Sequence, residues 1–176
     1  MKIGIVSDTH RNRDYLGRAA DWLIRKERIA TLYHLGDDYE DVVDLGDRHI
    51  DLLQVPGIYY PRYRDGSLAP KSSQTVQGVR LLLLHCLEKD LSEEDKNSAD
   101  IILHGHTHKA ELKLEDGKLY MNPGHLKGEK DKTMPASFGM LDIQSPEIRA
   151  TIFGMNFETM ESIDMTLTEN GLYRAT

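Results

Sequence analysis

Residues 100–108 read Asp-Ile-Ile-Leu-His-Gly-His-Thr-His, and the fold follows from how this stretch is interpreted. Ile101, Ile102 and Leu103 form a short continuous apolar run, the pattern of a strand buried on both faces. Gly105 ends the run, and His106 and His108 follow two residues apart. In extended chain, residues at that spacing point the same way, so the two imidazoles can serve one site. Ligands in open α/β sheets collect at the carboxyl ends of strands, which is where this pair is expected.

The same arrangement recurs along the chain. Residues 2–7 (KIGIVS) read as a buried strand leading into Asp8-Thr9-His10, another pair two residues apart. Residues 31–35 (TLYHL) read as a strand ending at Gly36-Asp37, and the apolar run 79–84 ends at His85. Any one of these motifs has an ordinary explanation as a turn or a satisfied structural residue. Four of them at strand ends in one chain point to a metal site built from Asp8, His10, Asp37, His85, His106 and His108. Mixed imidazole and carboxylate donors suit Mn, Fe, Co, Ni or Zn better than Ca or Mg.

Around these tips the sequence alternates between helix and strand. Leu16, Ala19, Ala20, Leu23 and Ile24 follow helical spacing and predict a helix over 13–28, capped by Asn12. Residues 50–55 read as a strand stopped by Pro56-Gly57, and 91–98 as a short helix. Hairpins are expected over 74–85, near Gly78, and over 111–122, where Asp116-Gly117 supplies the turn. Residues 136–143 and 147–153 make a further strand pair. The tail beyond Phe153 is weakly patterned, and its end, beyond about residue 160, is expected to fray. Helices in the first half and hairpins in the second predict an α/β (α+β) architecture. Trp22 lies off the main helical stripe and is expected at a helix edge or partner surface; His34 is expected in the core or supporting the site, and His49 at the surface.

Bulk properties narrow the function. The 176 residues fit one domain. The net charge is −7, which disfavours long nucleic acid and anionic membranes as partners. No apolar run of about 18 residues exists, and the N-terminus lacks the features of a signal peptide. The lone Cys86 cannot form an internal disulfide, so a cytoplasmic location is expected. The sequence is compatible with a homo-oligomer.

Taken in order, Asp8-x-His10, Gly36-Asp37, Val55-Pro56-Gly57, His85, Gly105-His106-x-His108 and Asn122-Pro123-Gly124 resemble the calcineurin-like metallophosphoesterase superfamily. Within it, the small single-domain bacterial and archaeal phosphodiesterases are most similar, over about residues 1–153. The resemblance implies a four-layer αββα sandwich, two mixed β-sheets flanked by helices. It also implies two divalent metal ions, with Asp8, His10 and His108 on the first, Asp37 bridging, and His85 and His106 on the second. The implied reaction is hydrolysis of a small phosphodiester or nucleotide by a metal-activated water.

Several positions depart from the family pattern. Ile58 stands where the family has an Asn ligand to the second metal, and the acidic or imidazole residue that follows that Asn is absent. Cys86 replaces a Gly, and His125 a Ser. Tyr59, Tyr60, Asp65 and His125 are candidates to replace the lost donor. Tyr59, Arg62 and His125 are candidate substrate-binding residues, with Arg62 suited to a phosphate oxygen. Two ions would bring about +4 against about −2 from Asp8 and Asp37, leaving about +2 for the substrate. The competing expectation is a catalytically weakened metal-binding scaffold or protein-interaction module of the same fold.

Overall fold

The central strand is β1 (Lys2–Val6), and the computed structural model, which describes residues 1–175, grows outward from it. Ile3 and Ile5 face one side and Gly4 and Val6 the other. Both faces are covered, which is why the strand reads as a continuous apolar run. It pairs in parallel with β2 (Thr31–His34), and β2 with β3 (Asp51–Gln54). On its other side β1 runs antiparallel to β11 (Ser137–Gln144), which continues to β12 (Glu147–Gly154). With β13 (Thr159–Thr168) and β14 (Gly171–Arg174) beyond β12, the resulting seven-stranded mixed sheet has the order β14-β13-β12-β11-β1-β2-β3.

A second mixed sheet has the order β4-β5-β6-β8-β7. Its strands are β4 (Lys71–Val76), β5 (Val79–Leu84), β6 (Ile101–Leu103), β7 (Glu111–Glu115) and β8 (Lys118–Asn122). The β4–β5 turn at Gln77-Gly78 and the β7–β8 turn at Asp116-Gly117 lie where the sequence expects them. The three central strands β5, β6 and β8 are parallel, so their carboxyl ends share one edge of the molecule. A small hairpin, β9 (Lys130–Asp131) with β10 (Met134–Pro135), stands apart from both sheets.

The two sheets pack face to face over Ile3, Ile5, Leu81, Leu83, Ile101, Leu103, Leu141 and Ile152. Helix α1 (Arg13–Trp22) covers the outside of the larger sheet, setting Leu16, Ala19 and Ala20 on Val6, Leu32 and Phe138. Asn12 caps it, its side chain accepting from the Tyr15 N–H. The helix expected to continue to residue 28 changes to a π-helical turn over Leu23–Glu27, ending at Arg28 with φ 60°. Trp22 faces inward against Phe138, Phe153 and Phe157, so it belongs to this layer and not to a partner surface. Over the smaller sheet lie α3 (Leu87–Asp90) and α4 (Glu93–Ser98), covering Leu82, Leu84 and Ile102. The architecture is the expected four-layer sandwich with a thin fourth layer.

Three features differ from the sequence reading. Tyr39–Arg48 forms a 3₁₀ helix, and Pro61–Arg64 forms the short helix α2. The tail does not fray: β13 (Thr159–Thr168) and β14 (Gly171–Arg174) complete the larger sheet. Ile163, Met165 and Leu172 from these strands are buried in the core between the sheets. Truncating one of them leaves a cavity in close-packed surroundings. Met165→Ala is expected to cost about 2–5 kcal/mol of stability in urea denaturation, and a loss under about 0.5 kcal/mol, the size of a neutral surface change, would show that the tail is not part of the core.

Candidate metal centre

The carboxyl ends of β1, β2, β5 and β6 meet at one edge of the sandwich, and each delivers donor side chains there. Asp8 and His10 follow β1, Asp37 follows β2, His85 follows β5, and His106 and His108 follow β6. The approach is close. A Cβ on Gly105 would collide with the Ser7 hydroxyl and the Asp8 carboxylate, and one on Gly36 with the His85 ring. These two glycines therefore let strands from different sheets bring their tips together.

All six expected residues are brought to this edge. His10 Nε2 lies 2.8 Å from Asp37 Oδ2, and His85 Nε2 3.1 Å from Asp37 Oδ1. His108 Nε2 lies 3.3 Å from Asp8 Oδ1 and 3.0 Å from His10 Nε2. Asp8, His10, Asp37 and His108 can each offer one ligand atom with all four atoms within 4.8 Å of one another. His106 donates its backbone N–H to Asp8 Oδ2 at 3.0 Å, and its ring centroid lies 5.1 Å from that of His85.

Five of the six carry left-handed backbone: Asp8 (φ 52°), His10 (46°), Asp37 (76°), His106 (69°) and His108 (63°). Non-glycine residues in this region cost about 1–3 kcal/mol each and persist only where their surroundings hold them. The turns are shaped to aim side chains, at a cost in stability.

The hydrogen bonds show what those side chains are aimed at. His85 Nδ1 lies 2.7 Å from the Leu35 carbonyl. A carbonyl oxygen only accepts, so Nδ1 carries the hydrogen and Nε2 of the neutral ring presents a lone pair. That lone pair faces a carboxylate oxygen. His108 is set the same way, with Nδ1 2.6 Å from Asp131 Oδ2 and Nε2 turned toward His10 and Asp8. Both Asp8 Oδ1 and His85 Nε2 are buried without a hydrogen-bond partner among the described residues. Metal-binding histidines characteristically donate their other ring N–H to a carboxylate or carbonyl. Buried oxygens and lone-pair nitrogens facing one another fit a divalent cation between them.

The titration directions agree. Burial pushes Asp37 up, but the adjacent His10 and His85 imidazoles override it and hold the carboxyl well below its usual range. Burial pushes His85 down, yet Asp37 and Asp8 carry it above its ordinary value. The Asp8 carboxylate beside it likewise raises His108. Burial lowers His106 instead, so positive charge is favoured at His85 and His108 and not at every donor.

A cavity of 560 Å³ opens beside His10 and Asp37, walled also by Arg11, Asp38, Glu40, Tyr59, Tyr60 and Pro61. Tyr59 is in the expected place, 68% exposed, with Arg64 over its ring. Arg62 is exposed on α2 and is not part of this wall; Arg11 is the wall's cation instead. His125 is buried behind His108, with Nε2 bonded to the Met134 carbonyl, and is also absent from the wall. Of the candidates to replace the missing donor, Tyr60 gives its hydroxyl to Glu40 and Asp65 accepts from the Ser67 N–H. Ile58 is buried, one residue after Gly57, which packs on the Asp37 backbone.

Sequence reasoning missed the supports of the site. Asp41 is buried and accepts from the Thr9 hydroxyl at 2.6 Å and the Arg11 N–H at 2.8 Å, fixing the Asp-Thr-His turn. His34, expected in the core or supporting the site, does both, linking Gly36 N–H to the Thr9 hydroxyl. No spacing rule marks Asp41 or Asp131, because each reaches the site across a long stretch of chain, from a 3₁₀ helix and a two-residue strand.

Burial lowers His34 to about 4 from its ordinary 6.5, against the pull of Asp41 and Asp8. Between those values the unfolded chain accepts a proton that the folded protein refuses, so stability falls as pH drops through this window. Urea denaturation of His34→Gln is expected to depend less on pH between about 6.5 and about 4 than the wild type. Equal pH dependence of the two proteins would refute this.

Comparisons with known proteins bear on identity. The model of the calcineurin-like phosphoesterase superfamily domain matches residues 1–146. Phosphodiesterase MJ0936 of Methanocaldococcus jannaschii is 23% identical over 167 residues, spanning 86% of this chain and 99% of its own. Among solved structures, the phosphoesterase Yfce of E. coli has a TM-score of 0.72 at 20% identity, covering 93% of this chain and 98% of its own. Vps29 of Chaetomium thermophilum also has a TM-score of 0.72 at 20% identity, with coverages of 94% and 98%. The structural likenesses show the fold, and the domain match spans most of the sequence. This protein belongs to the calcineurin-like phosphoesterase superfamily.

Proposed function

We propose that the protein is a divalent-cation-dependent phosphodiesterase acting on a small phosphodiester or nucleotide. The observation that carries this reading is the pair of buried, unpartnered atoms, Asp8 Oδ1 and His85 Nε2, within a cluster of lone-pair donors. The phosphodiesterase named among its relatives supports the reaction type.

In this reading Asp8, His10, Asp37 and His108 hold one ion, and Asp37, His85 and His106 hold a second. Manganese is our first choice for a mixed imidazole and carboxylate set, with Fe, Co, Ni or Zn as alternatives. Bound there, such ions neutralise phosphate oxygens and acidify an attacking water.

The chain itself shapes what can enter. Arg11, with its side chain 85% exposed and paired to Asp38 at 3.2 Å, stands at the mouth to meet an outer phosphate oxygen. Beyond it, Asp38 and Glu40 carry negative charge into the wall. One phosphate is drawn to the cations, while a second would meet these carboxylates. The wall therefore favours substrates with a single phosphate over polyphosphates. The open ring of Tyr59 offers a face to a planar substituent. No imidazole takes the place of the family's acid after Ile58, so esters with acidic leaving groups are expected to react fastest. Among the described residues, no helix is long and apolar enough to cross a membrane, and we place the activity in the cytoplasm.

Metal analysis of protein purified without chelator, with hydrolysis of bis(p-nitrophenyl) phosphate in added Mn²⁺, tests the reading. Asp37→Ala is expected to lower kcat/KM by at least about 10²-fold, as loss of a principal charge-stabilising group does. Ile58→Asn restores a donor and is expected to tighten the weaker of two binding events. The alternative, a weakened site on a protein-interaction module, draws on Ile58 and on the likeness to Vps29. Wild-type protein that binds no divalent ion and hydrolyses no ester would favour that alternative.

A further inference from the structure

The segment from His125 to Pro135 runs past one side of the candidate centre as a strap, and it lies outside the motifs that mark the site. Its first contact is the Leu126 N–H, donated to the Asp8 carbonyl at 3.1 Å. Next, His125 donates Nε2–H to the Met134 carbonyl at 3.1 Å, and its ring lies 5.4 Å from that of His108. At the small hairpin, Asp131 Oδ2 meets His108 Nδ1 at 2.6 Å, while Asp131 Oδ1 accepts from Lys127 Nζ at 2.9 Å. The strap is anchored in turn by Asn12, whose side-chain amide donates to the Lys127 carbonyl at 3.2 Å. Every one of these contacts serves Asp8 or His108, or braces a residue that does.

Two histidines of the cluster, His85 and His108, are supported unequally through Nδ1. His85 donates to a neutral backbone carbonyl, whereas His108 donates to a carboxylate. A carboxylate is the stronger acceptor, so it holds the ring more firmly and pushes more electron density toward Nε2. His108 also belongs to the compact set of four donors, which His85 and His106 do not join. On the far side, Ile58 is buried one residue after the Gly57 that packs on Asp37, and it has no donor atom.

We propose that Asp131 is a positioning residue for His108, fixing its Nδ1–H tautomer and making the Asp8–His10–Asp37–His108 group the tighter of two unequal cation sites. The proposal rests on the metal-dependent reading above and adds an order of affinity to it. Asp131 touches neither cation nor substrate in this scheme; it acts through the imidazole. Lys127 holds the second carboxylate oxygen and keeps Oδ2 turned to the ring.

The test is isothermal titration of chelator-stripped protein with Mn²⁺, comparing wild type, Asp131→Asn, Asp131→Ala and Asp164→Ala. Asp164 pairs with Arg149 on the sheet surface and serves as the control. Loss of such an outer partner typically weakens metal binding 10–100-fold. The tighter event is expected to weaken by about that factor in Asp131→Ala and by less in Asp131→Asn, whose amide oxygen still accepts. The weaker event and the control should match wild type. Nitrogen-15 imidazole shifts of the metal-free protein, taken at a pH where His108 is neutral, supply a readout that simple destabilisation would not move: His108 should be protonated at Nδ1 in wild type and lose that preference in Asp131→Ala. Unchanged affinity of the tighter event together with an unchanged tautomer in Asp131→Ala would overturn the proposal. Wild-type protein that binds neither Mn²⁺ nor Zn²⁺ would instead overturn the metal-dependent reading on which it stands.

Discussion

Asp37 joins the two sheets electrostatically. One oxygen meets His10 from the tip of β1, and the other meets His85 from the tip of β5 in the opposite sheet. A carboxylate in this position must be matched by positive charge, because an uncompensated buried ion is far too costly to keep. Protons on the neighbouring imidazoles are one solution, and the raised His85 and His108 lean that way. Cations are the other, and they suit imidazoles whose Nδ1–H is already committed to Leu35 and Asp131. The strand order, the glycines at the tips and the network through Asp41 all serve to bring these groups together.

Much of this was legible in the sequence. Asp-Thr-His and Gly-His-Thr-His carry their geometry in their spacing, and each follows an apolar run that fixes where the strand ends. The Asp116-Gly117 hairpin was equally plain, with strands at 111–115 and 118–122 as expected. The tail was misjudged although Ile163, Met165 and Leu167 alternate with Asp164 and Thr166, the pattern of a half-buried strand. The polar residues around Glu158–Glu161 dilute that pattern, and it reads as weak until the pairing with β12 is seen. Asp131 was illegible for a different reason. It reaches His108 across 23 residues of chain from a two-residue strand, and no periodicity encodes such a contact. Arg62 was a candidate as part of an aromatic-basic loop with Tyr59, Tyr60, Tyr63 and Arg64, while Arg11, beside a recognised ligand motif, lines the cavity.

The two outer layers are unequal, and this bears on how rigidly the site is held. Behind β1 and β2 stand α1 and an aromatic cluster of Trp22, Phe138, Phe153 and Phe157. Behind β5 and β6 stand only the short helices α3 and α4. Asp8, His10 and Asp37 thus sit on the better-buttressed sheet, and the strap over His125–Pro135 ties His108 to that same side. The geometry is most firmly set where the four compact donors meet.

The left-handed turns at Asp8, His10, Asp37, His106 and His108 have a consequence for how this sequence can drift. At each of these positions glycine would relieve backbone strain while deleting a donor. Random mutation there is therefore rewarded by a sturdier fold whenever the cluster has no task. The chain instead holds imidazoles and carboxylates at five such positions together. A descendant released from cation chemistry should lose them early, and glycines at these sites would mark that release before any change in the strands themselves.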